Sequence, residues 1–185
     1  MNLIHTNLIS EARTLANDII LKNTDPIEKS LSDRRVLGYA AIAFPVIAYF
    51  DAEIDGAKLQ KIKAKLANLD TVELDKTSSD YEMAVFARDF QKEVYGKIAN
   101  YTATAQRIKK YIGACSLISF LGSLTMKSTE IPSSLNLIGL VAAGLGFTTV
   151  VPGMGCQIAH YIINGTQLDE HKEILARSAL KKLSV

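Results

Sequence analysis

Residues 111–163 read YIGACSLISFLGSLTMKSTEIPSSLNLIGLVAAGLGFTTVVPGMGCQIAHYII, and their only formal charges are Lys127 and Glu130. At the 22% charge content of the whole chain, about a dozen would be expected there. Both charges sit in KSTEIPSS (127–134), a turn-like segment in which Ser134 can cap the next helix. It separates an uncharged run at 111–126 from a second run at 135–163, where only His160 can gain a proton. The first run reaches about 18 residues if Lys127 snorkels, close to a spanning length. The second is apolar on nearly every helical face, which marks a helix buried in protein or lipid. Pro152-Gly153 is expected to kink or break it, and Gly165 to close it. The pattern predicts an apolar helical hairpin.

Small side chains recur where two helices would need to approach closely. Gly139 and Ala143 stand four apart, as do Ala142 and Gly146, while Gly113, Ser116, Ser119 and Gly122 form a ridge. In lipid, van der Waals contact between such ridges takes over from the hydrophobic effect as the force between helices. The flanks are basic: Arg107, Lys109 and Lys110 precede the hairpin, and Lys172, Arg177, Lys181 and Lys182 follow it. Both ends, and with them the N-terminal domain and the C-terminus, are therefore expected on the cytoplasmic side of a membrane. The opposing reading is a helix pair inside a water-soluble domain, which Ser116, Ser119, Thr148 and Gln157 suit equally well.

Upstream, Met83, Ala87, Phe90, Val94, Ile98, Tyr101, Ala105, Ile108 and Ile112 step by three or four throughout. One helix from residue 80 to 126 is predicted, about 70 Å long at 1.5 Å per residue, with a break near Asn100 as the alternative. Ser79 and Glu82 form a capping box at its start. Leu8, Ala12, Leu15, Ala16 and Ile19 predict an amphipathic first helix, and Asp25-Pro26 a short second one. Residues 36–50 are strongly apolar, but they fall short of the roughly 20 that a span needs, and Pro45 interrupts them. Arg34 and Arg35 would also place the lysine-rich 58–110 outside, so a buried core helix is expected there. Asp55 is expected to open the next helix, which carries Leu59, Ile62, Leu66 and Leu69. Thr166 with Asp169 should cap the last, whose stripe Leu168, Leu175, Ala179 and Leu183 is diluted by Lys172 and Lys182. The expected architecture is all-α. A helical N-terminal region (1–78) precedes a region (79–185) made of the long helix, the apolar hairpin (111–163) and an amphipathic C-terminal helix.

The stretch VLGYAAIAFPVIAYFDAEIDGAKLQKI (36–62) resembles the TerB-like tellurite-resistance helical domains, in which an alanine-rich apolar helix runs into an Asp-Gly-x-Ile-Asp turn. Asp51, Glu53, Ile54, Asp55 and Ile62 fit that pattern, while Ala52 and Lys58 depart from it. The resemblance implies an all-helical fold and a stress- or envelope-linked role.

Candidate chemistry is sparse. Asp51, Glu53 and Asp55 followed by Gly56 begin like a calcium loop, and three carboxylates so close could converge on a metal ion. Lys58 and Ile62 occupy positions that such a loop gives to an apolar residue and a bidentate acid, which favours a plain acidic capping turn. Cys156 and His160 share a helical face but are too few for zinc. Cys115 and Cys156 read as small buried hydrophobes. His5 and His171 have no partner visible in the sequence. No phosphate loop, nucleophile elbow or HExxH occurs, and no cofactor is implied. The net charge of +2 gives no reason to expect nucleic acid, and Lys58, Lys61, Lys63 and Lys65 read as a solvated face. The N-terminus carries no secretory pattern.

The leading expectation is a non-enzymatic, membrane-anchored adaptor or scaffold with membrane lipid and a partner protein as its contacts. A first alternative is an effector or pore-forming-type protein that inserts its hairpin conditionally, with an order of elements similar to that of pore-forming colicin domains. A second is a soluble TerB-like cation-binding stress protein. The assembly state stays open, a homo-oligomer included.

Overall fold

The computed structural model describes residues 2–21, 45–127 and 133–183. Among them every regular element is helical: α1 (Leu3–Ile20), α2 (Pro45–Thr71), α3 (Tyr81–Lys127), α4 (Ser133–Ala159), a π-helical turn (His160–Asn164) and α5 (Gly165–Leu183). The protein is all-α. The helix expected after Asp25-Pro26, residues 36–44 of the apolar run, and residues 128–132 of the turn lie outside the described residues.

Local chemistry accounts for the helix ends. The Asn2 side chain accepts from the Ile4 N–H at 3.1 Å and caps α1, satisfying a donor that the first turn leaves unpaired. The Asp80 carbonyl accepts from Ala84 N at 2.9 Å as α3 begins. From there α3 runs unbroken for 47 residues, about 70 Å, passing Gly96 and Asn100 without interruption.

Three expected boundaries are absent. The acidic stretch at 51–56 is not a turn, because α2 passes straight through it. Asp and Gly favour turns when nothing else holds them, but here Asp51 and Asp55 lie one helical turn apart and both meet the same lysine on α3. Likewise, α4 continues past Pro152. Proline removes one backbone donor. Close by, the Thr148 and Thr149 hydroxyls donate to the Leu145 carbonyl at 3.1 and 2.8 Å. Gly165 starts α5 and does not end a helix, since the π-turn joins the two segments without a break.

The chain divides into two compact units that interleave in sequence. One contains α1, Lys58–Thr102 and α5, and the other contains α2 up to Ala57 together with Ala103–Ile163. The division therefore does not fall at residue 78, since α2 and α3 each contribute to both units.

The first unit is built in the usual order, with apolar side chains inside. Ile9, Ala12 and Ala16 from α1, Ala87, Phe90 and Val94 from α3, and Ala176, Ala179 and Leu183 from α5 form its core. The alanines let α1 and α5 pack directly together. The lysines that dilute the α5 stripe are accommodated. Lys172 is buried with its ammonium 2.9 Å from Asp169, and Lys182 Nζ lies 4.5 Å from the centre of the Phe86 ring, a cation–π arrangement. Buried Gln91 donates to the Leu8 carbonyl at 3.1 Å.

Candidate membrane-contacting surface

In the second unit the order is inverted. Gly113, Gly122, Gly139 and Gly146 are buried, and Ser116 and Ala143 are half-buried. A Cβ on Gly122 would stand 2.6 Å from the Gly139 carbonyl oxygen and 2.7 Å from Ala143 N. One on Gly146 would stand 2.6 Å from Ser119 Cβ and 2.8 Å from the Cys115 carbonyl. The α3 and α4 backbones thus touch in an antiparallel hairpin, and Ser119 Oγ donates across it to the Ala143 carbonyl at 3.1 Å.

Most of the bulky apolar residues of the same helices point away from this contact, Ile112 being buried. Leu117, Phe120 and Leu121 on α3, Leu137, Leu140, Val141, Leu145 and Val151 on α4, and Ile162 beyond it are each more than half exposed. The polar Gln157 and His160 are instead buried. Water drives the opposite arrangement, and a contiguous apolar exterior marks a surface meant for another phase or another protein. Among the described residues one helix, within Leu137–Leu183, is long and apolar enough to cross a membrane, and only 18% of its most apolar window is buried. A core helix of a water-soluble protein passes the same length test but is mostly buried.

At one end of the hairpin lies a buried ion cluster. Lys109 Nζ is 2.5 Å from Asp51 Oδ2 and 2.5 Å from Asp55 Oδ2, with Lys109 1% and Asp55 2% exposed. Its ammonium also stands 5.7 Å from the centre of the Tyr161 ring. Burial by itself would lower the lysine pKa. The attraction of Asp55, then of Tyr161, and hydrogen bonds to Asp51 and Asp55 outweigh it and hold Lys109 above the ordinary lysine range. Lys109 therefore stays charged although it is enclosed.

The three carboxylates that could have converged on a metal ion are not gathered. Residues 51 and 55 share a helical face, but residue 53 points elsewhere, and Glu53 pairs with Lys110 at 3.0 Å on the surface. Lys109 supplies the cation that Asp51 and Asp55 share. Among the described residues, no group of three or more His, Cys, Asp or Glu side chains is placed to hold a metal ion. Sequence reasoning did not find Lys109 as the partner. It stands four residues after Ala105 and three before Ile112, on the inward stripe of α3, and that placement was the available clue.

His5 also has a partner that its sequence neighbourhood does not reveal. It is fully buried, its Nδ1 lies 2.8 Å from Asp80 Oδ1, and its Nε2 accepts from the Asp75 N–H at 3.1 Å. With Nε2 accepting, Nδ1–H is the group that donates to Asp80. Hydrogen bonds from Ser78 and then His5 hold the Asp80 carboxyl below the usual carboxylate range. Thr77 does the same for Asp75 through its hydroxyl and its backbone N–H.

These features define an all-α chain with one conventionally packed unit and one whose helical hairpin carries most of its large apolar side chains on the outside. Compared with family models, curated proteins and solved structures, the chain matches none.

Proposed function

We propose that this protein is a non-enzymatic membrane anchor. In this reading α3 beyond residue 110 and α4 cross the lipid as a hairpin, and the first unit is held at the cytoplasmic face, where it binds a partner protein. The observation that carries the reading is the inverted hairpin of the second unit, with Gly113, Gly122, Gly139, Gly146, Gln157 and His160 inside and Leu117, Phe120, Leu137, Leu140, Leu145 and Ile162 outside. Hydrocarbon favours this arrangement over its reverse, because small residues give close helix contact, large ones meet the acyl chains, and Gln157 and His160 face away from them.

Dimensions support it. From Tyr111 to Lys127 an α-helix rises about 24 Å, against a hydrocarbon thickness of about 30 Å. Orientation follows from the basic residues at both outer ends, Arg107 and Lys110 before and Lys172, Arg177, Lys181 and Lys182 after. The adaptor role draws on the closed core of the first unit, which presents a folded exterior to a partner.

Alkaline carbonate extraction of membranes from cells expressing the full chain tests the proposal. Retention in the pellet until detergent is added is the expected result. Recovery in the supernatant overturns constitutive anchoring. If that material then binds added vesicles and releases trapped dye, conditional insertion takes its place.

A further inference from the structure

Resting on the membrane reading above, we infer that the first turns of α2 enter the same lipid beside the hairpin, at headgroup depth, as a third membrane-contacting element. Within the second unit α2 runs antiparallel to α3. Ala48 packs with Ile108 and Ile112, Asp51 and Asp55 meet Lys109, and a Cβ on Gly56 would lie 2.5 Å from Gln106 Nε2. A Cβ on Gly153 would stand 3.0 Å from Ile112 and 3.4 Å from Tyr111. Ala48, Ile112 and Gly153 therefore mark one level of the second unit, and Asp51, Asp55 and Lys109 mark the next.

At the first level the pattern of the hairpin repeats. The small Ala48 and Ala52 face inward, 2% and 0% exposed, while Tyr49 and Phe50 are 52% and 63% exposed. Tyr111 and Val151, equally exposed, continue the band on α3 and α4. Expecting residues 36–50 to form a core helix would put Tyr49 and Phe50 inside, and they are not. Directly beside this band come the enclosed Asp51–Lys109–Asp55 cluster and the surface pair Glu53–Lys110. Tyr49, Phe50 and Tyr111, set between an apolar surface and a charged layer, match the profile of a membrane–water interface, where amphipathic aromatic rings settle at headgroup level. Continuity with the outer face of the hairpin names lipid as the occupant.

The chain contains no tryptophan, so a single introduced indole reports its own depth. Full-length Phe50→Trp, Leu145→Trp and Lys63→Trp variants would be reconstituted in phosphatidylcholine vesicles brominated at shallow or deep acyl positions. Phe50→Trp should lose most emission with the shallow label and Leu145→Trp with the deep one, while Lys63→Trp should respond to neither. Tyr49→Trp serves in the same way where Phe50→Trp fails to fold. Emission from residue 50 that matches Lys63→Trp, with Leu145→Trp still quenched, overturns this inference and leaves the anchor intact. A blue-shifted but unquenched residue 50 assigns the face to protein and overturns it as well. An unquenched Leu145→Trp overturns the anchor itself.

Discussion

Lys109 Nζ and Asp55 Oδ2 meet at 2.5 Å across 54 residues of sequence, both almost wholly enclosed. That contact, shared with Asp51, fixes α2 against α3 at the end of the apolar hairpin. Replacing Lys109 with Met removes the ammonium but keeps the volume, so Asp51 and Asp55 must face each other without it. Losing one partner of a buried ion pair costs about 3–5 kcal/mol, whereas replacing every member by hydrophobic residues of similar volume is often close to free. Chemical unfolding in detergent should therefore show a large loss for Lys109→Met, most of it recovered when Asp51→Leu and Asp55→Leu are added. A Lys109→Met protein as stable as the parent would count against the buried cluster.

The hairpin contact can be tested with two glycines of the same chemistry and opposite surroundings. Gly122→Ala drives a methyl into the Gly139 and Ala143 backbones, whereas a Cβ on Gly144 meets nothing within 4 Å. Overpacking of this kind costs about 1–3 kcal/mol. Thermal unfolding should separate the pair, with Gly122→Ala destabilised and Gly144→Ala unchanged. Equal behaviour would mean that the two helices do not approach there.

Asp80 gives the first unit an acid limit. Its carboxyl is held below the ordinary 3.8 by Ser78 and His5. A group whose folded pKa is depressed contributes stability above its unfolded pKa and loses it as pH falls through the folded value. The melting temperature should thus be insensitive to this group near neutrality and start to fall below about pH 4. Asp80→Asn should flatten that part of the profile while lowering stability at neutral pH. A parallel curve for parent and variant would remove Asp80 from the account.

Ala179 has no exposed surface in the contact of α5 with α1 and α3. Ala179→Leu should cost about 1–3 kcal/mol by overpacking, while Ser178→Leu, on the exposed side of the same helix, should stay within about 0.5 kcal/mol. Guanidinium unfolding followed by circular dichroism would show the difference.

The helical class and the long α3 were legible because their pattern is local and long, with Met83 to Ile112 keeping one face throughout. Small residues spaced by four were also legible, and Gly122, Gly139 and Ala143 do meet in the structure. The features that stayed hidden depend on pairs distant in sequence. Asp51 to Gly56 read as a turn because turn chemistry is a local property, whereas the ammonium that keeps it helical arrives from residue 109. His5 met Asp75 and Asp80 only once α1 had been placed beside the start of α3. Gly165 looked like a stop because a π-turn has no composition of its own, and His160–Asn164 absorbs the change of phase without a break. The 78/79 boundary misplaced the units because helices as long as α2 and α3 can serve two cores.

The interleaving of the units also sets an order of events during synthesis. The core that joins α1 to α5 needs the 19-residue α5, so it cannot close until residues 165–183 have left the ribosome. The apolar hairpin emerges earlier, while α1 still waits for its partner. If the hairpin enters a bilayer as proposed, it can do so before the first unit has completed its core.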